Sequence, residues 1–139
     1  MFFPEYVKSI QSEDTVLEVG PGSNPHPRSN VFLDKRHDDR LVARAQRGYA
    51  PQLKGDSRKI VYYDGGRFPF EDNEFNYVIC AHVLEHVPRE ELSEFISELQ
   101  RVAPRGYIEF PNIFYELINY EPVHLWFMNY RGQTILFLD

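Results

Sequence analysis

The sequence predicts a three-layer α/β domain on a mostly parallel sheet, finished by an antiparallel hairpin. Short β-branched runs alternate with helical stretches along most of the chain. The run Phe75–Ala81 is almost wholly apolar, as a strand covered on both faces must be. At the end of the chain, only Tyr130-Arg131-Gly132 separates two strand-like runs, a spacing that favours a hairpin with glycine in its loop.

Residues 4–12 are expected to form a short leading helix with Pro4 at its start. Thr15–Val19 then reads as a buried strand. Gly and Pro crowd Gly20–Pro25, which marks a turn. Val31–Asp34 is the second strand, residues 40–54 are weakly helical, and Lys59–Asp64 is the third strand, closed by Gly65 and Gly66. Phe75–Ala81 is the fourth. The next segment is the clearest helix: Pro88 suits its first position, and Glu90 and Glu91 suit its first turn. Leu92, Phe95, Ile96, Leu99 and Val102 share one face, and Pro104 and Gly106 end it. Gly106–Phe110 is a fifth strand stopped by Pro111. Val123–Asn129 and Gln133–Asp139 form the hairpin.

With 139 residues the chain suits a single domain spanning residues 1–139. A net charge of −6 leaves no broad basic surface for a phosphate backbone, so nucleic acid is not an expected partner. Cys80 is the lone cysteine, so no internal disulfide forms. No run reaches the length that crosses a bilayer, and the N-terminal segment does not read as a signal peptide. A cytoplasmic protein without membrane partners is expected.

In open parallel sheets, ligands bind outside the carboxyl ends of the strands. Glu18, Gly20 and Gly22 follow the first strand, Asp34 the second, Asp64 and Gly65 the third, and Ala81 and His82 the fourth. Gly20 and Gly22 lack a Cβ, so a ligand can approach their backbone closely. Asp34 is placed to accept both hydroxyls of a ribose, and Asp64 to accept from an adenine amino group. Glu18 adds negative potential where a cationic ligand could sit. Singly, each is an ordinary turn or strand-end residue. Together, at the ends of successive strands, they point to a nucleoside site. Cys80, His82 and His86 show no metal-binding spacing, and no Cys-x-x-Cys occurs, so no metal is expected. A nicotinamide site would need a third glycine opening a helix, whereas Ser23-Asn24-Pro25 follows Gly22.

These residues carry a family resemblance. LEVGPGSNP (Leu17–Pro25) resembles motif I of the class I S-adenosylmethionine (SAM)-dependent methyltransferases, DGGRFPFEDNEFNYVICAHVLEHVP (Asp64–Pro88) resembles their small-molecule members more strongly, and ELQRVAPRGYIEFPN (Glu98–Asn112) resembles the helix and strand that follow. The resemblance implies a Rossmann-like, mostly parallel seven-stranded sheet in the order 3-2-1-4-5-7-6, with the C-terminal hairpin supplying the last two strands. It implies SAM as cofactor: Gly20 and Gly22 along its methionine part, Asp34 on the ribose, Asp64 and Gly65 at the adenine, Ala81 and His82 beside it. Glu85 and His86 are more often structural in the family. Two departures stand out. Only a short segment containing Pro25 and Pro27 precedes the second strand, so a Gly-x-x-Asn-Pro loop replaces the usual helix, and Asn76 stands where the family often has Asp.

The implied reaction is methyl transfer from SAM to an O, N or C nucleophile of a small-molecule acceptor, with proximity carrying much of the rate. His82 and His124 are the candidate bases. Without a substrate lid, a homodimer through the aromatic C-terminal hairpin is the expected way to complete the site. The competing class is a catalytically degenerate domain that binds SAM or S-adenosylhomocysteine, or serves a partner subunit. In that case His82, Phe110 or Trp126 would block the route to the methyl group.

Overall fold

The computed structural model describes residues 3–22, 24–36 and 58–138. Strands β1 (Val16–Val19), β2 (Val31–Lys35), β3 (Lys59–Tyr63), β4 (Tyr77–Ala81) and β5 (Gly106–Glu109) form one five-stranded sheet in the order β3-β2-β1-β4-β5. All of its pairings are parallel. Helix α1 (Arg89–Val102) connects β4 to β5. The expected helix over residues 40–54 lies outside the described residues.

Alternation along the central strands explains why two faces are buried. Leu17, Val19, Val78 and Cys80 point to one face, where Phe95, Leu99 and Val102 of α1 cover them. Val16, Tyr77, Ile79 and Ala81 point to the other, where Val7 and partly buried Ile10 of the N-terminal segment pack. Every residue of β1 and β4 is buried; β4 accordingly reads as a continuous apolar run, whereas β1 buries Glu18 among its apolar residues. The leading helix is shorter than expected: only a 3-10 turn, Pro4–Tyr6, forms. Val7 and Ile10 follow it as extended sheet cover.

Polar residues fix the strand ends. Asn76 Oδ1 accepts from Thr15 N at 2.9 Å and Thr15 Oγ1 at 2.8 Å, joining the starts of β1 and β4. An amide oxygen accepts both bonds, so this join needs no carboxylate. Arg105 donates to Asp14 Oδ1 at 2.6 Å and to Ser9 O at 3.1 Å, binding the start of β5 to the N-terminal segment.

An antiparallel hairpin forms, with Tyr130 and Arg131 inside its first strand rather than in the loop, but it does not extend the sheet. β6 (Phe127–Arg131) and β7 (Thr134–Leu138) pair antiparallel as a separate two-stranded sheet. The continuous order 3-2-1-4-5-7-6 is therefore corrected: the hairpin meets the region after β5 through a single parallel bridge, Asn112 to Met128. The local chemistry accounts for this. Pro111 lacks an N–H to continue a ladder. Asn112 then caps a short helix, α2 (Ile113–Ile118), its Oδ1 accepting from Tyr115 N at 3.0 Å. The hairpin is held instead by Trp126 and Met128, which are buried in the main core.

Candidate active site

A cleft of about 340 Å³ opens at the carboxyl ends of β1, β2 and β4, a size within the range of small-molecule sites. Gly20 and Gly22 form one wall, Asp34 and Tyr63 the next, and His82, Val83 and His86 the third, with Phe95 of α1 behind them. Four of the expected site residues thus meet in one place: Gly20, Gly22, Asp34 and His82.

The glycines are required by geometry. Gly20 has φ +63° and Gly22 φ +54°, a left-handed region that side chains with a Cβ rarely adopt. A Cβ on Gly20 would stand 2.5 Å from Val83 Cγ2, whereas one on Gly22 would meet nothing within 4 Å. Gly20 N donates to Leu33 O at 2.8 Å, which locks the glycine turn to β2 and brings Asp34 alongside it.

Glu18 lies elsewhere. It is buried, and its Oε2 accepts from Ser29 Oγ at 2.6 Å and His26 N at 2.9 Å. Burial, opposed by these two donors and by Arg58, pushes its carboxyl up to about 7. Its place in the fold is to hold the loop between β1 and β2, which contains no helix among its described residues. Asp64 is exposed just beyond Tyr63, and Gly65 sits over α1, where an added Cβ would lie 3.9 Å from Glu91 Oε2. Neither lines the cleft, nor does Ala81, which ends β4 opposite Glu109.

His82 is the most constrained group at the mouth. It takes φ +56°, uncommon outside glycine. Its Nε2 lies 2.9 Å from Glu109 Oε1, and Tyr107 donates to Glu109 Oε2 at 2.7 Å. Its Nδ1 stands 3.3 Å from Glu85 Oε1. Burial opposes a charge on the ring, but the Glu85 and Glu109 carboxylates outweigh it and hold the imidazole above its ordinary pKa. Glu109 was not anticipated, although parallel pairing of β4 with β5 places it beside Ala81. His124 does not reach the cleft. It precedes β6, with Nδ1 2.6 Å from Glu116 Oε1 and its ring edge-on to His86 at 4.8 Å. Phe110 and Trp126 are also absent from the lining. Trp126 is buried, donating Nε1 to Val87 O at 2.8 Å.

With this geometry in place, the chain's relatives can be compared. Residues 37–110, just over half of the chain, match the family model described as a methyltransferase domain. The chain belongs to this family of SAM-dependent methyltransferase domains, and SAM is the cofactor the family implies. Among solved structures, the chain is similar to the PH0226 protein of Pyrococcus horikoshii, with 23% identity, a TM-score of 0.57 and coverage of 84% of this chain and 57% of the other. It is also similar to a SAM-dependent methyltransferase of Methanosarcina mazei (19% identity, TM-score 0.48, 73% and 53% coverage). A third similarity is to the YcgJ protein of Bacillus subtilis (16% identity, TM-score 0.46, 68% and 42% coverage). The first of these shows the fold. The chain thus spans about half the length of the structures it resembles. No curated protein sequence matches it.

The residues present fit the cofactor. The glycine turn offers unobstructed backbone at Gly22, and Asp34 brings a carboxylate to the carboxyl end of β2 in the same cleft.

Proposed function

We propose that this chain binds SAM in the cleft between the glycine turn and β4 and transfers its methyl group to an O, N or C nucleophile of a small-molecule acceptor. The observation that carries the reading is the convergence of Gly20, Gly22, Asp34 and His82 on one cleft. When bound, SAM supplies a methyl group already activated on a sulfonium. In this reading Gly20 and Gly22 admit the methionine end and Asp34 accepts from the ribose hydroxyls, while Asp64 and Gly65, beyond the cleft at the end of β3, meet the adenine only if it extends past Tyr63. His82 flanks the transfer point, with Ala81 behind it at the end of β4.

The protein's share of catalysis is then mainly alignment. His82 is set at the mouth by Glu109 on one side and Glu85 on the other. In this reading it orients the acceptor; both its ring nitrogens face carboxylates, so it takes the acceptor's proton only when one of those contacts opens. His124 has no such placement.

The acidic net charge of −6 suits a small, uncharged or cationic acceptor rather than nucleic acid. The proposed assembly is a homodimer through the C-terminal region, supported by the exposed apolar side chains Phe114, Leu117, Ile118, Tyr120 and Tyr130. A monomeric mass in sedimentation across a wide concentration range removes that part of the reading.

The reading is tested by isothermal titration with SAM and with S-adenosylhomocysteine, on the intact protein and on Asp34→Ala. Saturable one-site binding that the substitution abolishes supports it. No binding by the intact protein overturns it in favour of a degenerate domain.

A further inference from the structure

Behind His82, a second cluster of ligating groups adjoins the cleft. Glu85 is completely buried in the turn Leu84–His86, and neither of its carboxylate oxygens accepts a hydrogen bond. The nearby His82 Nδ1, at 3.3 Å, lacks hydrogen-bonding geometry to it. A fully buried carboxylate is costly, and the ion pair with His82 at one oxygen leaves Oε2 without a hydrogen bond and open to a second positive partner. One ligand atom each from Glu85, His86 and His124 lies within 4.8 Å of the others.

Each of the two imidazoles has one ring nitrogen engaged, as metal-ligating histidines do. A ligating histidine ordinarily donates its other ring N–H to a carbonyl or carboxylate, which fixes its tautomer. His86 Nδ1 is 3.2 Å from Val123 O, and His124 Nδ1 is 2.6 Å from Glu116 Oε1. Both Nδ1 atoms are thereby occupied, which leaves Nε2 of each ring for an ion. Glu116 is itself buried.

We infer that Glu85, His86 and His124 bind a divalent transition-metal ion, Zn²⁺ by chemical preference. Two imidazoles and a carboxylate suit zinc rather than the all-oxygen cages of magnesium or calcium. Ligand atoms around zinc in a tetrahedron stand about 3.3 Å apart, given bonds of about 2.0–2.1 Å. Small side-chain rotations therefore close the cluster on the ion. The site departs from the expectation that no metal binds. It joins residues far apart in sequence and ties the segment leading into β6 to the turn after β4. That junction already carries the bonds from Leu125 N to Glu85 O at 2.7 Å and from Trp126 Nε1 to Val87 O. Because His86 also lines the cleft, the ion would brace the cleft wall from behind.

The test uses the full chain, stripped of metal with a chelator and titrated with Co²⁺ as the spectroscopic probe and Zn²⁺ as the competitor. One equivalent of Co²⁺ is expected, with the visible bands of a low-coordinate site, two coupled imidazoles in pulsed electron resonance, and displacement by Zn²⁺. His124→Asn should abolish uptake. Glu116→Gln, which keeps the ligands but loses the orienting carboxylate, should weaken it about 10–100-fold. Circular dichroism establishes that each variant is folded, and the imidazole count on the unaltered protein stands without any variant. No saturable uptake, a count other than two imidazoles, or undiminished uptake by folded His124→Asn overturns the inference.

Discussion

Replacing Glu18 with Gln should make the protein's stability less dependent on pH. Glu18 is buried, and burial lifts its carboxyl from the ordinary 4.5 to about 7. Below the lower value, both folded and unfolded chains hold the proton. Between the two values the unfolded chain releases it while the folded chain keeps it, so folding takes up a proton. Stability is therefore lost as pH rises toward 7 and levels off above it. The difference between the two values corresponds to about 3 kcal/mol. In Glu18→Gln the amide oxygen can still accept from Ser29 Oγ and His26 N, which both address a single oxygen of Glu18, and no charge is buried at high pH. The assay is urea denaturation of both proteins from about pH 5 to about pH 8. The variant's stability relative to the parent should climb by about 2–3 kcal/mol across that range. A relative stability that stays flat refutes the reasoning, because it means that Glu18 titrates alike in the folded and unfolded chains. SAM affinity supplies an independent readout. It should be unchanged if Glu18 serves the loop, and a large fall would return Glu18 to the cofactor.

Further predictions concern the cleft and its supports. Gly20→Ala forces a Cβ into Val83 at a positive φ. It should cost at least about 1–2 kcal/mol from the backbone conformation alone, with loss of SAM binding, read by denaturation and titration calorimetry. Arg101 donates to Glu98 Oε2 at 2.6 Å, to Phe68 O at 3.1 Å and to Phe70 O at 2.8 Å, clamping the segment between β3 and β4. Arg101→Ala strands a mostly buried Glu98 and two carbonyls, so it should destabilise by about 3 kcal/mol in thermal or urea unfolding. Trp126 is the chain's single tryptophan and is buried beside Phe137. Its fluorescence therefore reports hairpin docking, and a red shift at lower denaturant than the loss of helical dichroism would show the hairpin leaving first.

The five parallel strands were legible because short runs rich in β-branched and aromatic residues are bounded by Gly, Pro and Asp turn signals, and β4 is apolar throughout. The face of α1 was legible because Phe95, Leu99 and Val102 recur at helical spacing. The short helix α2 was not, since its only local signal is Asn112 as a cap after Pro111. Among the site residues, the strand ends could be read from the sequence but side-chain directions could not. Glu18 turns to Ser29 and His26 because the loop folds back over it, a tertiary fact with no local signature. The juxtaposition of Glu85 and His86 with His124 was equally hidden, because it depends on where the segment after α2 returns.

The separate hairpin also bears on how copies of this protein could associate. Its two strands satisfy each other, and apart from the Asn112–Met128 bridge β5 shares no ladder with it. The outer edge of β5 thus has no strand beside it among the described residues, and such an edge is a template for another chain. A hairpin tethered through a hinge can leave its own body and seat Trp126 and Met128 in a second copy, without breaking any hydrogen bond of the five-stranded sheet. Domain exchange is therefore a route by which this architecture can pass from monomer to intertwined pair, with exposed residues 119–122 as the arm that crosses over.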